Sequence, residues 1–214
     1  MKDVTKTLRR QPRQDRSRER VDHILATTQV LIGEKGLAGL AMSDIASASK
    51  MPLPTVYHYF PNRTAVMAEL YRRFSNGFLT QLTGLLQSVT AAKDIFPATD
   101  AIIDSYFDLL KDKPAIQDLL HAVQADKELL NLDIAQTRAQ AAAVSSRLQH
   151  FIAEHHRENF TRSVYLLFQL AGGAVRLALF QGGEEGERIV ADYKRLIRGQ
   201  LAEFDLKQTS GEGS

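Results

Sequence analysis

Residues 43–64, SDIASASKMPLPTVYHYFPNRT, decide how this chain folds. Ser43 is a favourable N-cap for a short helix. Pro52 and Pro54 then interrupt that helix, because each proline disfavours the helical conformation in the residue before it. Pro54 also suits the first position of a new helix, which we predict runs to about Phe60. Two short helices joined by a tight turn form a helix-turn-helix, the unit that places one helix in the major groove of DNA.

Helical patterns continue on both sides of this segment. Apolar residues recur at helical spacing from about Arg20 to Lys35, and Gly36 can take the left-handed conformation that ends a helix. Asn62 is a favourable cap for a fourth helix. We predict that helix and five later ones over 63–88, 98–110, 114–125, 127–154, 161–180 and 184–206. No strand-like alternation appears, so the sequence predicts an all-α fold of about nine helices.

Charge is distributed unevenly along the chain. Residues 1–75 contain 13 Lys and Arg against 7 Asp and Glu, whereas residues 76–214 contain 14 against 18. A basic first third indicates a part that binds polyanions. We predict four segments, and the long fourth helix joins the second to the third. They are a flexible basic arm (1–19), a helix-turn-helix domain (20–66), a regulatory ligand-binding and dimerisation domain (67–206) and a polar tail (207–214).

Several classes of protein are disfavoured by composition. The chain has no cysteine, which excludes disulfides and thiolate metal sites and fits a reducing compartment. The first twenty residues lack the apolar core of a secretory signal, and Gln169 and Arg176 interrupt the most apolar stretch. His155 and His156 are adjacent, so they point in different directions on a helix. We therefore predict a cytoplasmic protein with no membrane partner, metal site, cofactor or enzymatic activity.

The stretch from about Arg20 to Phe74 resembles the TetR family of bacterial transcriptional regulators. The residues that carry the resemblance are Thr55-Val56-Tyr57-His58-Tyr59-Phe60-Pro61-Asn62-Arg63, together with Gly36 and the helix start at Ser43. Two positions depart from the family pattern: Lys50 stands where the turn usually has glycine, and Pro52 stands where a polar cap is usual. A lysine in a left-handed turn costs about 1 kcal/mol.

The resemblance and the residue types together predict the DNA contacts. Helical spacing directs Val56 and Phe60 to the core and Tyr57 and His58 outward, while Tyr59 suits packing and phosphate binding equally. The resemblance implies that Ser43 and Arg63 clamp the DNA backbone. The full predicted set for double-stranded DNA is Ser43, Lys50, Leu53, Pro54, Thr55, Tyr57, His58, Tyr59 and Arg63.

The last two predicted helices resemble the dimer-forming pair of the same family. The predicted interface between two copies comprises Tyr165, Phe168, Gly172, Gly173, Arg176, Phe180, Tyr193 and Ile197. A pocket for a small-molecule effector, which only the resemblance implies, would use Tyr106, Phe107, His121, Gln124, Phe151, Phe168 and Gln169. These residues predict a homodimeric repressor that binds a palindromic operator and is released by an effector. The alternatives are a ligand-independent regulator controlled by a protein partner, or a helical enzyme or lipid carrier.

Overall fold

The computed structural model describes residues 11–111, 113–204 and 206, and within them the fold is all-α, as predicted. The α-helices of these residues are α1 Gln11–Lys35, α2 Met42–Ala48, α3 Leu53–Tyr59, α4 Arg63–Gln87, α5 Ile95–Lys111, α6 Pro114–Val123, α7 Lys127–Leu148, α8 Arg157–Gln181 and α9 Gly183–Ala202. Short 3-10 turns occur at Ala92–Asp94, Gln149–Phe151 and Glu154–His156. The described part of the chain has no strand, and Ile152 forms an isolated bridge with Leu206.

The predicted flexible arm is wrong over residues 11–19, which form the first turns of α1. Residues 1–10 and the predicted tail at 207–214 lie outside the described residues. This extension of the helix is polar. It forms nevertheless, because the first turn of a helix is the costly one to form, and adding residues to a helix that is already anchored by packing costs little free energy. Ile24 and Leu25 provide that anchor, because both are buried. The prediction considered only apolar spacing and therefore started the helix too late.

Two compact units make up the molecule, and their boundary differs from the predicted one at residue 66. Unit 1 runs to Arg72 and also includes Pro114–Leu129, while unit 2 comprises Arg73–Lys113 and the chain from Leu130 onward. α6 therefore belongs to unit 1. It packs on α1, where a Cβ added to Gly33 would lie 3.9 Å from the Cβ of Ala115. The prediction placed α6 in the regulatory domain (67–206) because its residues lie within that range of the sequence.

Unit 2 is built around the crossing of α8 and α9. These helices approach so closely at Gly186 that an added Cβ would lie 2.4 Å from the carbonyl oxygen of Ala178. Val190, Tyr193 and Ile197 follow on the same face of α9 and are buried. The core of unit 2 thus extends along α9, and glycine at position 186 is a requirement of the crossing.

Three predicted helix boundaries in unit 2 need correction. α5 begins at Ile95 rather than Ala98, and Pro97 lies within its first turn, where a missing N–H costs no helical hydrogen bond. α7 ends at Leu148, because two 3-10 turns replace the predicted continuation. α8 begins at Arg157, four residues before the predicted start. Helix ends near polar sequence were the least predictable feature.

Candidate nucleic-acid interface

The turn between α2 and α3 keeps a standard helix-ending geometry although it contains Lys50. Lys50 adopts the left-handed conformation with φ 52°. Its N–H bonds to the carbonyl of Ser47 at 3.1 Å, and the N–H of Met51 bonds to the carbonyl of Ala46 at 3.0 Å. This pair of bonds is the Schellman motif, in which the left-handed position usually holds glycine. The lysine thus accepts the backbone strain and leaves the shape of the turn unchanged.

α3 begins one residue earlier than predicted, at Leu53, with Pro52 as its N-cap. The carbonyl of Pro52 accepts the N–H groups of Thr55 at 2.8 Å and Val56 at 3.2 Å, which closes the first turn. Pro54 occupies the second helical position, where its missing N–H would have had no helical partner. Proline in the first turn and at the cap therefore starts this helix without a polar side chain.

The two faces of α3 differ sharply in exposure. Val56 is fully buried and Phe60, its C-cap, is 6 % exposed, as the sequence predicts. On the opposite side Leu53 is 37 % and Tyr57 48 % exposed, and His58 is also exposed. Pro54, which is exposed, and Thr55, which is half-buried, lie at the start of the helix. The helix thus presents an aromatic and polar face to solvent over a single-residue apolar anchor.

Tyr59 is half-buried and is held by α1. Its hydroxyl accepts hydrogen bonds from the side chains of Arg20 and Ser17, and the bond from Arg20 is the main cause that lowers the pKa of the Tyr59 hydroxyl below its ordinary value. The ring also meets His58 edge-on at a centroid distance of 5.2 Å. In the free protein the Tyr59 side chain therefore contacts α1, and its phosphate hydrogen bond stays a prediction.

The start of α2 contradicts one prediction, because the N-cap is Ala41 and Ser43 lies inside the first turn. Asp44 provides the polar cap instead, since its carboxylate accepts the N–H of Ala41 at 2.8 Å. An aspartate three residues into a helix can cap it by reaching back to the N-cap residue. The side chain of Ser43 is exposed and is left available for other contacts.

Arg63 has an internal role at the start of α4. Its Nη1 donates to the carbonyl oxygens of Leu37 at 3.0 Å and Leu40 at 3.2 Å, across the loop between α1 and α2. Asn62 caps α4 through its side-chain oxygen, which accepts the N–H of Ala65 at 2.8 Å, as predicted. A guanidinium has five donors, so these bonds still leave donors on Arg63 for a phosphate.

His23 was not identified from the sequence, although it contacts the turn. Its Nε2 donates to the carbonyl oxygen of Ser49 at 3.0 Å, and that residue immediately precedes the left-handed Lys50. Helical spacing alone could have indicated that His23 shares a side of α1 with Arg20, three residues earlier. A backbone carbonyl as partner leaves no trace in the sequence.

The residues predicted to line an effector pocket separate into two groups. His121 and Gln124 belong to unit 1 and are exposed, and His121 helps to line an open cleft of about 390 Å³ with Lys35 and Asp118. The other five belong to unit 2. Among those five Phe151 is 1 % exposed, so it fills the core and does not line an accessible pocket.

Tyr106, another of the five, lies among aromatic rings. Its ring centroid is 4.9 Å from that of Phe78 and 6.5 Å from that of Phe74. Burial raises the pKa of Tyr106 to about 12, against an opposing effect of Arg176 and with a smaller raising effect of Asp133. The hydroxyl is therefore a neutral donor at physiological pH. Gln169, also half-buried, donates to the hydroxyl of Tyr165 at 3.2 Å.

Two of the predicted dimer residues require correction. Tyr193 and Ile197 are 5 % and 4 % exposed, because they face the core of their own unit, and the Tyr193 hydroxyl donates to the carbonyl of Leu167. Phe180, in contrast, is 85 % exposed. Phe168, Gly172 and Arg176 are half-buried, as is Tyr165, and Gly173 is exposed. The outward side of α8 carries a stripe that the prediction only partly included, formed by Leu166, Leu170, Gly173, Leu177 and Phe180.

Comparison with known families agrees with this geometry. Residues 24–70 match the family described as bacterial regulatory proteins, tetR family. Residues 93–204, more than half of the chain, match the tetracyclin repressor-like C-terminal domain. The chain belongs to the TetR family of bacterial transcriptional regulators. It is therefore a DNA-binding transcription factor and not an enzyme.

Two curated relatives match part of the chain. The transcriptional repressor NemR of Escherichia coli K12 is 31 % identical over 67 residues, which are 31 % of this chain and 34 % of NemR. The transcriptional regulator EthR of Mycobacterium tuberculosis is 38 % identical over 53 residues, 25 % of this chain and 24 % of EthR. The matches thus span about a third of NemR and a quarter of EthR.

The fold extends beyond the matched sequence. A TetR-family transcriptional regulator from Streptomyces coelicolor superposes with a TM-score of 0.67 at 19 % identity, covering 86 % of this chain and 99 % of that one. At this identity the likeness concerns the fold alone. The shared fold therefore covers most of both chains.

Proposed function

We propose that the chain is a homodimeric repressor whose α3 helices read the two halves of a palindromic operator. The observation that carries this proposal is the outward face of α3, where Tyr57 is 48 % exposed while Val56 behind it is fully buried. On the outward face of the second helix of a helix-turn-helix, the ring and hydroxyl of Tyr57 would reach base edges in the major groove. The match to NemR, a transcriptional repressor, supports repression as the outcome of binding.

The exposed groups of α3 suit both parts of DNA recognition. Tyr57 and His58 offer donors that reach phosphates or base edges, and the methyl group of Thr55 suits the methyl group of thymine. Leu53 and Pro54 extend the same face with apolar surface. Lys50 at the turn and Ser43 at the start of α2 are both exposed, and in our proposal they contact the phosphate backbone.

The stripe on α8 supports a second copy of the chain as partner. Leu166, Leu170, Leu177 and Phe180 are all more than half exposed, and with Gly173 they repeat at intervals of four and three residues. That spacing is the seam of two helices packed side by side. Gly173 in its middle removes a side chain, which permits close approach. The exposed Leu196 on α9 enlarges the apolar surface.

The same helix raises the question of a membrane. Within the described residues, Glu154–Gln181 alone has the length and apolar composition to span one. We favour a protein partner, because the exposed apolar residues form one stripe. The opposite face of α8, which carries Phe160, Val164 and Val175, is buried in unit 2. Arg176 also interrupts this helix, and a charged side chain within a membrane span is costly. The proposed location is the cytoplasm.

Unit 2 also supports a small-molecule effector site. Tyr106, Phe107, Phe168 and Gln169 are half-buried on α5 and α8, so they combine apolar surface with two polar groups. Such a mixture suits an apolar ligand with few polar atoms. Binding would release DNA if the ligand prefers the arrangement of the dimer that does not match the operator.

Tyr57 provides the test of DNA reading. We expect Tyr57→Ala to weaken operator binding at least tenfold without lowering the melting temperature, because the side chain is exposed in the free protein. The operator is first selected from random duplex DNA, and binding is then measured by fluorescence anisotropy. Val30→Ala, at a residue 58 % exposed on α1, is the matched control. Unchanged binding by Tyr57→Ala would remove α3 from the reading surface.

A further inference from the structure

One flank of α1 holds both ends of α3. His23 contacts the turn before α3, while Arg20 and Ser17 contact Tyr59, the last residue of α3. These three residues of α1 are spaced at intervals of three, so they lie along one side of that helix. Two contacts about one helical turn apart on α1 therefore define the position of a seven-residue helix at its beginning and at its end.

The contact at the beginning fixes a single peptide unit. Ser49 is 2 % exposed, and its hydroxyl donates to the carbonyl of Ile45 at 2.7 Å. With His23 bonded to its carbonyl at 3.0 Å, both ends of this residue are constrained. The next residue, Lys50, is in the left-handed conformation that reverses the chain into α3. Any shift of the Ser49 carbonyl would thus be transmitted directly to the entry of α3.

The contact at the end fixes the side chain of Tyr59. Arg20 and Ser17 both donate to its hydroxyl, so two side chains of α1 meet the end of α3. Arg20 is exposed and lies on the basic extension of α1, where a phosphate contact would otherwise be the simplest role for it. The hydrogen bond to Tyr59 instead directs its guanidinium toward α3.

α3 depends on such contacts because it has little apolar area of its own. Within the helix only Val56 is buried, and the helix is too short to be stable without tertiary packing. One buried valine can hold the helix against the core but leaves rotation about that anchor weakly restrained. Recognition of base edges requires side chains placed to about half an ångström, which a single anchor does not provide.

We infer that Arg20 and His23 are positioning residues that set operator specificity by clamping α3 through Tyr59 and Ser49. They act on discrimination between the operator and other DNA, and the salt-dependent attraction to phosphate does not depend on them. This inference rests on the proposed reading role of α3. It assigns a role to the α1 extension other than that of a phosphate-binding arm.

A double-mutant cycle on Arg20 and Tyr59 tests the clamp. Tyr59→Phe removes the hydrogen bond without changing any charge, and we expect it to lower operator affinity about fivefold while affinity for a scrambled duplex changes less than twofold. Arg20→Ala should lower operator affinity less than Tyr59→Phe does, because Ser17 still donates to the hydroxyl, and it should change affinity less than twofold in the Tyr59→Phe background.

The salt dependence separates the clamp from a phosphate contact. Loss of one phosphate contact reduces the slope of log affinity against log salt by about 0.9. We expect the Arg20→Ala slope to equal that of the wild type. A reduced slope in both backgrounds, together with unchanged operator affinity of Tyr59→Phe, would overturn the inference for Arg20.

His23 allows a rescue experiment. His23→Ala should lower the ratio of operator to scrambled-duplex affinity about fivefold at an unchanged melting temperature, and His23→Gln should restore it, because the Gln amide can donate to the Ser49 carbonyl. Equal ratios for His23→Ala and the wild type would overturn this half of the clamp. A wild-type chain that discriminates no duplex would overturn the proposed function as well, whereas a discriminating wild type with unaffected variants overturns the clamp alone.

Discussion

The exposed faces of α3 in unit 1 and α8 in unit 2 are built in opposite ways. The face of α3 carries Tyr57 and His58 on a helix of seven residues, whereas α8 presents an apolar stripe on a helix of twenty-five residues. A short polar face suits a partner that is bound through individual hydrogen bonds, such as DNA. A long apolar stripe gains free energy through area, as a partner helix covers it. The chemistry of each face indicates the class of its partner.

The supports behind the two faces differ as well. α3 is held by side chains that bond to distant groups, such as His23 to the Ser49 carbonyl. α8 is held by close packing against α9, where Gly186 meets the Ala178 carbonyl. Hydrogen-bonded supports fix direction, while packing fixes distance. Substitutions of these supports should therefore have different effects. In unit 1 they should reduce the specificity of DNA binding, and in unit 2 they should reduce dimer assembly or stability.

The largest expected effect concerns the stripe on α8. Leu170→Glu places a charge on a surface that two copies would bury, so the dissociation constant of the dimer should rise at least a hundredfold. Sedimentation equilibrium measures that constant. Val30→Glu, at an equally exposed apolar residue of unit 1, should leave it unchanged. A Leu170→Glu variant that remains dimeric at wild-type concentrations would show that the interface lies elsewhere.

A smaller effect is expected where α8 and α9 cross. Gly186→Ala would place its Cβ 2.4 Å from the Ala178 carbonyl oxygen, so the helices must separate, and we expect a loss of about 2 kcal/mol in the free energy of unfolding. Gly84→Ala on α4, where no atom lies within 4 Å, should instead gain about 0.5–1 kcal/mol through helix propensity. Urea unfolding followed by circular dichroism measures both. A gain in both variants would mean that the crossing is looser than described.

Local signals predicted much of unit 1. Helical spacing alone predicts that Val56 and Phe60 face inward, and both are buried. Asn62 begins a helix through its side chain, and Gly36 ends one through its left-handed backbone. The bonds from Arg63 to the Leu37 and Leu40 carbonyls could not be predicted, since every residue has a carbonyl. Long-range bonds to the backbone leave no pattern in a sequence.

Unit 2 shows a different limit of prediction. α9 carries Tyr193, Leu196 and Ile197 within five residues, so its sequence contains two overlapping apolar stripes. Spacing cannot decide which stripe faces the core and which faces a partner. The structure buries Tyr193 and Ile197 and leaves Leu196 68 % exposed. The choice is made by the close approach at Gly186, which fixes the rotation of α9 and involves a glycine with no side chain to signal it.

The smallest effect concerns Lys50 and returns to the supports of α3. Its left-handed conformation costs about 1 kcal/mol for a residue with a Cβ, and glycine would avoid that cost. Lys50→Gly and Lys50→Ala remove the same charge, but the glycine alone relieves the strain, so Lys50→Gly should be more stable than Lys50→Ala by about 1 kcal/mol in urea unfolding.

Substitution of Lys50 by glycine should weaken DNA binding although it stabilises the fold. Both variants should reduce the salt slope of operator binding by about 1.8 for the homodimer, about 0.9 per subunit, because both remove the ammonium group that we place at a phosphate. Equal stability of the two variants would contradict the left-handed turn, whereas an unchanged slope would remove Lys50 from the DNA contacts. A more stable variant that binds DNA less well would explain why a lysine occupies a position that favours glycine: the turn exchanges about 1 kcal/mol of stability for one cation at the edge of the reading helix.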